Sequence, residues 1–245
     1  MIWLGFAASL VAGLATGIGA LPILFTRKVS DRLLDVLLGF SAGIMLAATS
    51  FSLIVPAIEL GGPWIVVFSV LLGALMLHLI DRFVPHFHPA FGHEGPSSRL
   101  AGVWLFVIAI TIHNFPEGLA VGVSFGTGDI GAGLVIAMAI GLQNMPEGLA
   151  VALPLLREGY GKRKSLGYAT LTGLIEPLGG LLGVALVSVF QPILPWGLAF
   201  AAGAMLFVIS DEIIPESHRK GFEREATFGL IIGFVVMMLL DCIFV

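Results

Sequence analysis

His113-Asn114-Phe115-Pro116-Glu117-Gly118 is followed thirty residues later by Gln143-Asn144-Met145-Pro146-Glu147-Gly148, and both blocks continue into Leu-Ala-Val. Each block lies deep in a long apolar run, where a carboxylate is costly and marks a functional site. On a helix, residues three and four apart share a face. His113, Asn114 and Glu117 therefore project together, as do Gln143, Asn144 and Glu147. Pro116 and Pro146 cannot donate a backbone hydrogen bond, so the carbonyls of Ile112 and Leu142 lose their usual helical partner. In a membrane such a carbonyl must be satisfied by another helix, a water or an ion. A carbonyl, an amide or imidazole and a carboxylate converge with no base to pair the acid, which points to a cation site. Proline-kinked packing helices with incidental polar residues are the alternative; the same residue types twice at the same spacing argue against it.

Around these blocks the chain is strongly apolar. Of 245 residues, 58% are hydrophobic and 11% charged, with a mean hydropathy of +1.04. Ordinary soluble domains carry roughly a quarter charged residues. The composition therefore predicts an all-α polytopic membrane protein. Spans of about 20 residues each give eight transmembrane helices in a single domain, residues 1–245. They begin at about Ile2, Val36, Trp64, Leu100, Ile130, Leu166, Pro195 and Thr227. The 32 glycines suit close approach of helices. Cys242 is the single cysteine, which excludes an intramolecular disulfide. The first apolar run lacks a positive n-region and reads as a span rather than a cleaved signal.

All 12 Lys and Arg residues fall in the connections after spans 1, 3, 5 and 7. Positive residues favour the cytoplasmic side, so both termini are expected outside. The polar stretch at about 81–99, with His86, His88 and His93, becomes a cytoplasmic loop. The spans hold Glu117, Glu147, Glu176 and Asp241 with no Lys or Arg among them. Buried carboxylates without basic partners are either neutral or bound to a cation. Spans 4 and 5 are antiparallel yet carry like blocks at like depths, which predicts inverted-repeat symmetry with those two helices at the centre.

The paired His/Gln-Asn-x-Pro-Glu-Gly blocks resemble those of the ZIP (Zrt/Irt-like) family of divalent metal transporters. Gly39-Phe40-Ser41-Ala42-Gly43-Ile44-Met45-Leu46-Ala47-Ala48, Ile175-Glu176-Pro177-Leu178-Gly179 and Ile213-Ile214-Pro215-Glu216-Ser217-His218 are similar to the prokaryotic members. The resemblance covers the whole chain. It implies uptake of Zn²⁺, with Cd²⁺, Fe²⁺ or Mn²⁺ as further substrates, through a bridged two-metal site at mid-membrane. One metal would take His113, Glu117, Gln143, Glu147 and Met45. The other would take Asn114, Glu117, Asn144, Glu147 and Glu176. Some relatives carry Asp where Asn144 stands, and the amide removes one negative charge from the second site. Glu59 and Asp241 would attract cations at the entrance. His86, His88, His93, Asp211, Glu212 and His218 would receive them at the cytoplasmic exit. The resemblance also implies a homodimer in a prokaryotic inner membrane.

Imidazole suits zinc and iron, carboxylates and amides suit harder ions, and a thioether adds softness, so the set predicts modest selectivity. Nothing calls for a catalytic cofactor or a nucleic-acid partner; the expected partners are divalent cations and the bilayer. An intramembrane metal-dependent hydrolase is the rival from another class, although there is no His-Glu-x-x-His pair. A metal sensor would need an output domain. An exporter of the same architecture stays open, because topology does not fix flux direction.

Overall fold

The computed structural model describes residues 1–26, 29–88, 92–94 and 102–244. Its helices are α1 (Ile2–Ala20), α2 (Pro22–Phe25), α3 (Asp31–Ala47), α4 (Val55–Phe83), α5 (Gly102–Gly126) and α6 (Ile130–Arg157). They are followed by α7 (Lys162–Gly173), α8 (Glu176–Val189), α9 (Leu194–Val208), α10 (Ile214–Ser217) and α11 (Glu223–Phe244). A short antiparallel pair, β1 (His86–His88) with β2 (Gly92–Glu94), lies in the polar connection and adds the only non-helical element to the all-helical body among the described residues.

Local chemistry sets these boundaries. Leu33 N donates to Ser30 Oγ at 3.2 Å at the start of α3, and Ala132 N to Asp129 Oδ1 at 3.1 Å at the start of α6. Both are N-caps satisfying an orphan amide. Prolines 22, 56, 177, 195 and 215 stand at the starts of α2, α4, α8, α9 and α10, where the longer helical runs are interrupted or change their winding.

Among the described residues seven helical runs are long and apolar enough to cross a membrane. One of them, Asp31–Ile80, has 50 residues and is broken at Gly62, with φ 76° and ψ 169°. That left-handed φ suits glycine, and Pro63 follows it, so the expected Gly61-Gly62-Pro63 turn is present. The sixth expected span is also interrupted: α7 stops at Gly173 and α8 starts at Glu176. Two departures were not expected from sequence. π-helical turns occupy Ala48–Ile54 and Ile209–Ile213, between α3 and α4 and between α9 and α10.

The closest helix pairings are α3 with α11, α4 with α9, α5 with α8 and α1 with α6. At one end, Arg157 bonds Asp31 at 2.9 Å, Arg32 meets Glu225 at 3.1 Å, and Lys220 meets Glu216 at 3.4 Å. Tyr160, three residues after Arg157, clusters with the rings of Trp104 and Tyr168, and Trp104 Nε1 donates to Tyr160 Oη at 2.7 Å. At the other end, Gly61 approaches Pro195, Gly131 approaches the Phe244 carbonyl, and Gly5 lies against Phe125 and Val184. Connections that the basic residues mark thus gather apart from the termini and the turns that lack Lys and Arg. Wide apolar faces of α4 and α11, including Phe68, Leu71, Phe228 and Ile232, are exposed, as lipid-facing surfaces are.

Candidate metal site

α5 and α6 continue through Pro116 and Pro146 and carry the two blocks to the centre of the molecule. His113, Asn114, Glu117, Gln143, Asn144, Glu147, Glu176 and Met45 are all buried. The glycine closing each block lets a neighbouring backbone come close. A Cβ at Gly118 would stand 2.0 Å from the Glu176 carbonyl oxygen, and one at Gly148 would stand 1.8 Å from that of Thr16. Close contact of α8 with α5 sets Glu176 beside the blocks, and close contact of α1 with α6 brings Ala12 and Thr16 there.

Each carboxylate meets a neutral donor. Gln143 Nε2 donates to Glu117 Oε1 at 2.6 Å, linking the two central helices. Asn144 Nδ2 donates to Glu176 Oε1 at 2.7 Å and to the Ala12 carbonyl at 2.8 Å. Ser41 Oγ donates to Glu147 Oε1 at 2.7 Å and lies 3.2 Å from the Gln143 carbonyl. His113 Nε2 pairs with Glu212 Oε1. The second oxygens Glu117 Oε2 and Glu176 Oε2, and the amide oxygens Gln143 Oε1 and Asn144 Oδ1, have no hydrogen-bond partner. Both amide atoms of Asn114 are likewise without one. Glu117 lies within electrostatic reach of Glu147 and Glu176.

Among the described residues no three His, Cys, Asp or Glu side chains form a ready-made metal cage. The hydrogen bonds explain why: carboxylates face amide and hydroxyl hydrogens rather than one another. A carboxamide carries a donor and an acceptor on the same carbon. Turning the amides of Gln143 and Asn144 over would withdraw N–H from the carboxylates and offer carbonyl oxygen in its place. Oxygen-rich sites of this kind suit divalent cations. Unpaired buried acceptors cost free energy, so a cation entering here would find ligands poorly satisfied without it.

The expected residues divide into those the structure brings together and those it does not. The two blocks and Glu176 converge, while Met45 is buried on α3 one turn beyond Ser41, which bonds Glu147. Glu212, expected at the exit, touches His113 and so borders the central cluster. His218 is engaged elsewhere: its Nδ1 lies 2.9 Å from the Ile214 carbonyl and its Nε2 3.2 Å from Thr227 Oγ1, tying α10 to α11. Asp211 is half-buried in the second π-helical turn. Glu59 is exposed just before Gly62, and Asp241 accepts from Ser52 at the same end of the molecule. The exit role expected of the His86, His88 and His93 side chains lies outside what the structure describes. His78 stands edge-on to Phe207, with ring centroids 6.3 Å apart.

Sequence reasoning did not identify Ser41 as a partner of Glu147. A signal was present, since Ser41 and Met45 are four apart and share the face of α3 that meets the site.

Comparison with known proteins bears on this cluster. The family model described as ZIP Zinc transporter matches residues 92–241. The chain is 50% identical to the zinc transporter GufA of Myxococcus xanthus, covering 97% of each. It is 47% identical to the zinc transporter ZIPB of Bordetella bronchiseptica, over 93% of this chain and 77% of that protein. Identity to the human zinc transporter ZIP11 is 35%, over 92% of this chain and 93% of the human one.

Proposed function

The chain belongs to the ZIP family of zinc transporters, and from that membership we propose that it carries Zn²⁺ through the polar cluster between α5 and α6 into the cytoplasm. One observation carries the reading: Glu117, Glu147 and Glu176 converge in a buried site lined by neutral amides, with no Lys or Arg among its hydrogen-bond partners. A family of transporters sets aside the hydrolase alternative.

The site is read as holding two bridged ions, one by His113, Glu117, Gln143, Glu147 and Met45, the other by Asn114, Glu117, Asn144, Glu147 and Glu176. Cations gather at Glu59 and Asp241, lose water among these ligands, and pass from His113 to Glu212. Asp211 and the loop histidines then accept them. Cd²⁺, Fe²⁺ and Mn²⁺ fit the same donor set. The chain is read as one integral membrane domain of the bacterial inner membrane, and the exposed faces of α4 and α11 offer surface for lipid or for a second copy.

Eight crossings follow when Asp31–Ile80 is divided at Gly62: an unbroken helix of that length would extend roughly 75 Å, far beyond a core of about 30 Å. The gathered cations favour a cytoplasmic basic end, which leaves both termini outside.

Inverted-repeat symmetry is supported by contacts that recur 160 residues apart. Phe40, Gly43 and Met45 of α3 correspond to Phe200, Gly203 and Met205 of α9, and Val70 and Gly73 of α4 to Leu230 and Gly233 of α11. A Cβ at Gly43 would meet the Leu230 carbonyl at 2.0 Å; one at Gly203 would meet that of Val70 at 2.0 Å. A Cβ at Gly73 would meet the Phe200 carbonyl at 2.1 Å, and one at Gly233 that of Phe40 at 2.1 Å. The α3–α11 contact is thus repeated, partner for partner, between α9 and α4. Each repeat also carries its π-helical turn after the methionine.

Purified protein in proteoliposomes is expected to accumulate zinc down its gradient; failure of the folded protein to move zinc would overturn the reading. Ligands must shed protons before they bind metal. Uptake should therefore fall as external pH is lowered from neutral into the mildly acidic range, and a flat profile would contradict metal capture by His113 and the glutamates.

A further inference from the structure

The repeat relation equates Glu176 of α8 with Thr16 of α1, again 160 residues apart, while α5 and α6 exchange Asn114 with Asn144 and Gly118 with Gly148. Contacts obey this exchange: Gly118 meets the backbone of Glu176, and Gly148 meets that of Thr16. Gly13 and Gly173, which the same relation pairs, face each other: a Cβ on either would stand 2.2 or 2.1 Å from the other's carbonyl oxygen. On one side of this pseudo-axis Asn144 Nδ2 donates to Glu176 Oε1. On the other side stand Asn114, with both amide atoms unpartnered, and Thr16, whose Oγ1 is unpartnered and whose residue is 1% exposed.

A helical threonine commonly back-bonds to the carbonyl four residues earlier, as Thr111 and Thr170 do here. For Thr16 that carbonyl belongs to Ala12, and Asn144 Nδ2 donates to it instead. A Cβ on Gly13, one turn before Thr16, would come 3.4 Å from the Glu176 carboxyl carbon. α1 therefore forms a wall of the site, presenting a backbone already used by the site and a buried hydroxyl that is not.

We infer that Thr16 is a specificity-determining member of the transport site, its hydroxyl supplying a neutral oxygen beside Asn114 in the place that Glu176 fills beside Asn144. This rests on the transport reading above and deepens it. The two-fold arrangement then gives one flank of the site an anionic oxygen and the other a neutral, hard oxygen donor. A hard oxygen favours Mn²⁺ over the softer Cd²⁺, which draws more on Met45.

The test measures zinc uptake into proteoliposomes, with Mn²⁺ and Cd²⁺ as competitors. Thr16→Val, which keeps the branched shape and removes the hydroxyl, is expected to raise the KM for zinc about fivefold with kcat little changed, the loss of one modest polar contact. Competition by Mn²⁺ should weaken more than competition by Cd²⁺, and Thr16→Ser should restore both. Parent-like KM and competition in Thr16→Val, or no rescue by Thr16→Ser, overturns the inference. If Thr16→Val does not fold, Thr16→Cys decides: a thiol facing the site strengthens Cd²⁺ competition about tenfold, whereas unchanged competition shows that position 16 faces away. Glu147→Ala, run alongside, separates the two levels. Parent-like uptake there sinks the transport-site reading itself, whereas loss there with a silent Thr16→Val sinks only the role of Thr16.

Discussion

Glu147→Ala is expected to abolish saturable zinc uptake, lowering it by at least ~100-fold, and His113→Ala to come close to it. Removing even a supporting residue around a metal typically costs 10- to 100-fold in affinity or activity, and Glu147 is read as a bridging ligand. The structure gives the loss a local meaning. Ser41 Oγ donates to Glu147 and reaches the Gln143 carbonyl, so the carboxylate joins α3 to α6 at the site. Alanine there leaves the buried Ser41 hydroxyl only the longer contact to the Gln143 carbonyl, and a cation without its shared oxygen. His113→Ala would leave the Glu212 carboxylate buried without its imidazole. Uptake of ⁶⁵Zn at several external concentrations, with the fraction of folded protein measured in parallel, is the check. Folded Glu147→Ala protein that carries zinc at the parent rate would reduce both blocks to packing features. Glu147→Gln refines the outcome: it keeps the volume and an acceptor oxygen, so its loss of uptake would report the charge.

Most of this site was legible because the two blocks combine residue types that a membrane interior rarely tolerates. The 3.6-residue period aligns His113, Asn114 and Glu117, and the repeat of the pattern at 143–148 fixes a partner helix. The all-helical, membrane-spanning character followed from apolar run length, and the Gly61-Gly62-Pro63 turn from residues that helices reject. What stayed hidden depends on contacts between distant segments. Nothing local in Ile209–Ile213 announces a π-helical turn, and that turn carries Glu212, expected near the cytoplasmic end of its span, which pairs with His113. Ser41 is one small hydroxyl in a glycine- and alanine-rich stretch, and only the crossing of α3 over α6 reveals what it bonds. Thr16 has no motif around it; its meaning comes from Glu176 occupying the equivalent place. His218 shows the reverse, since a histidine beside a carboxylate-rich segment proves to fasten two helices.

Gly148→Ala should be nearly as damaging as loss of a ligand, although it adds one methyl group and no charge. The added carbon would stand 1.8 Å from the Thr16 carbonyl oxygen and 2.7 Å from its carbon, both backbone atoms that no rotamer change can move aside. α1 and α6 would have to separate by more than an ångström along one of the closest helix pairings in the molecule. Overpacking of this kind costs about 1–3 kcal/mol in a well-packed core. Here the displacement also pulls Ala12 from Asn144, whose amide holds Glu176, so the metal ligands move with the helices. The expected result is a lower thermal unfolding midpoint in detergent and a severalfold or greater loss of zinc uptake per folded molecule. Gly167→Ala is the control: Gly167 lies on the exposed face of α7 with nothing within 4 Å of an added Cβ. Alanine is favoured over glycine in a helix by roughly 1 kcal/mol, so that variant should match or exceed the parent midpoint and transport normally. If Gly148→Ala behaved like Gly167→Ala, α1 would not bear on the block at Gly148, and its place as a wall of the site would fall. A damaged Gly148→Ala beside a sound Gly167→Ala would instead show that the glycine closing the Pro-Glu-Gly sequence is there for the neighbour it admits.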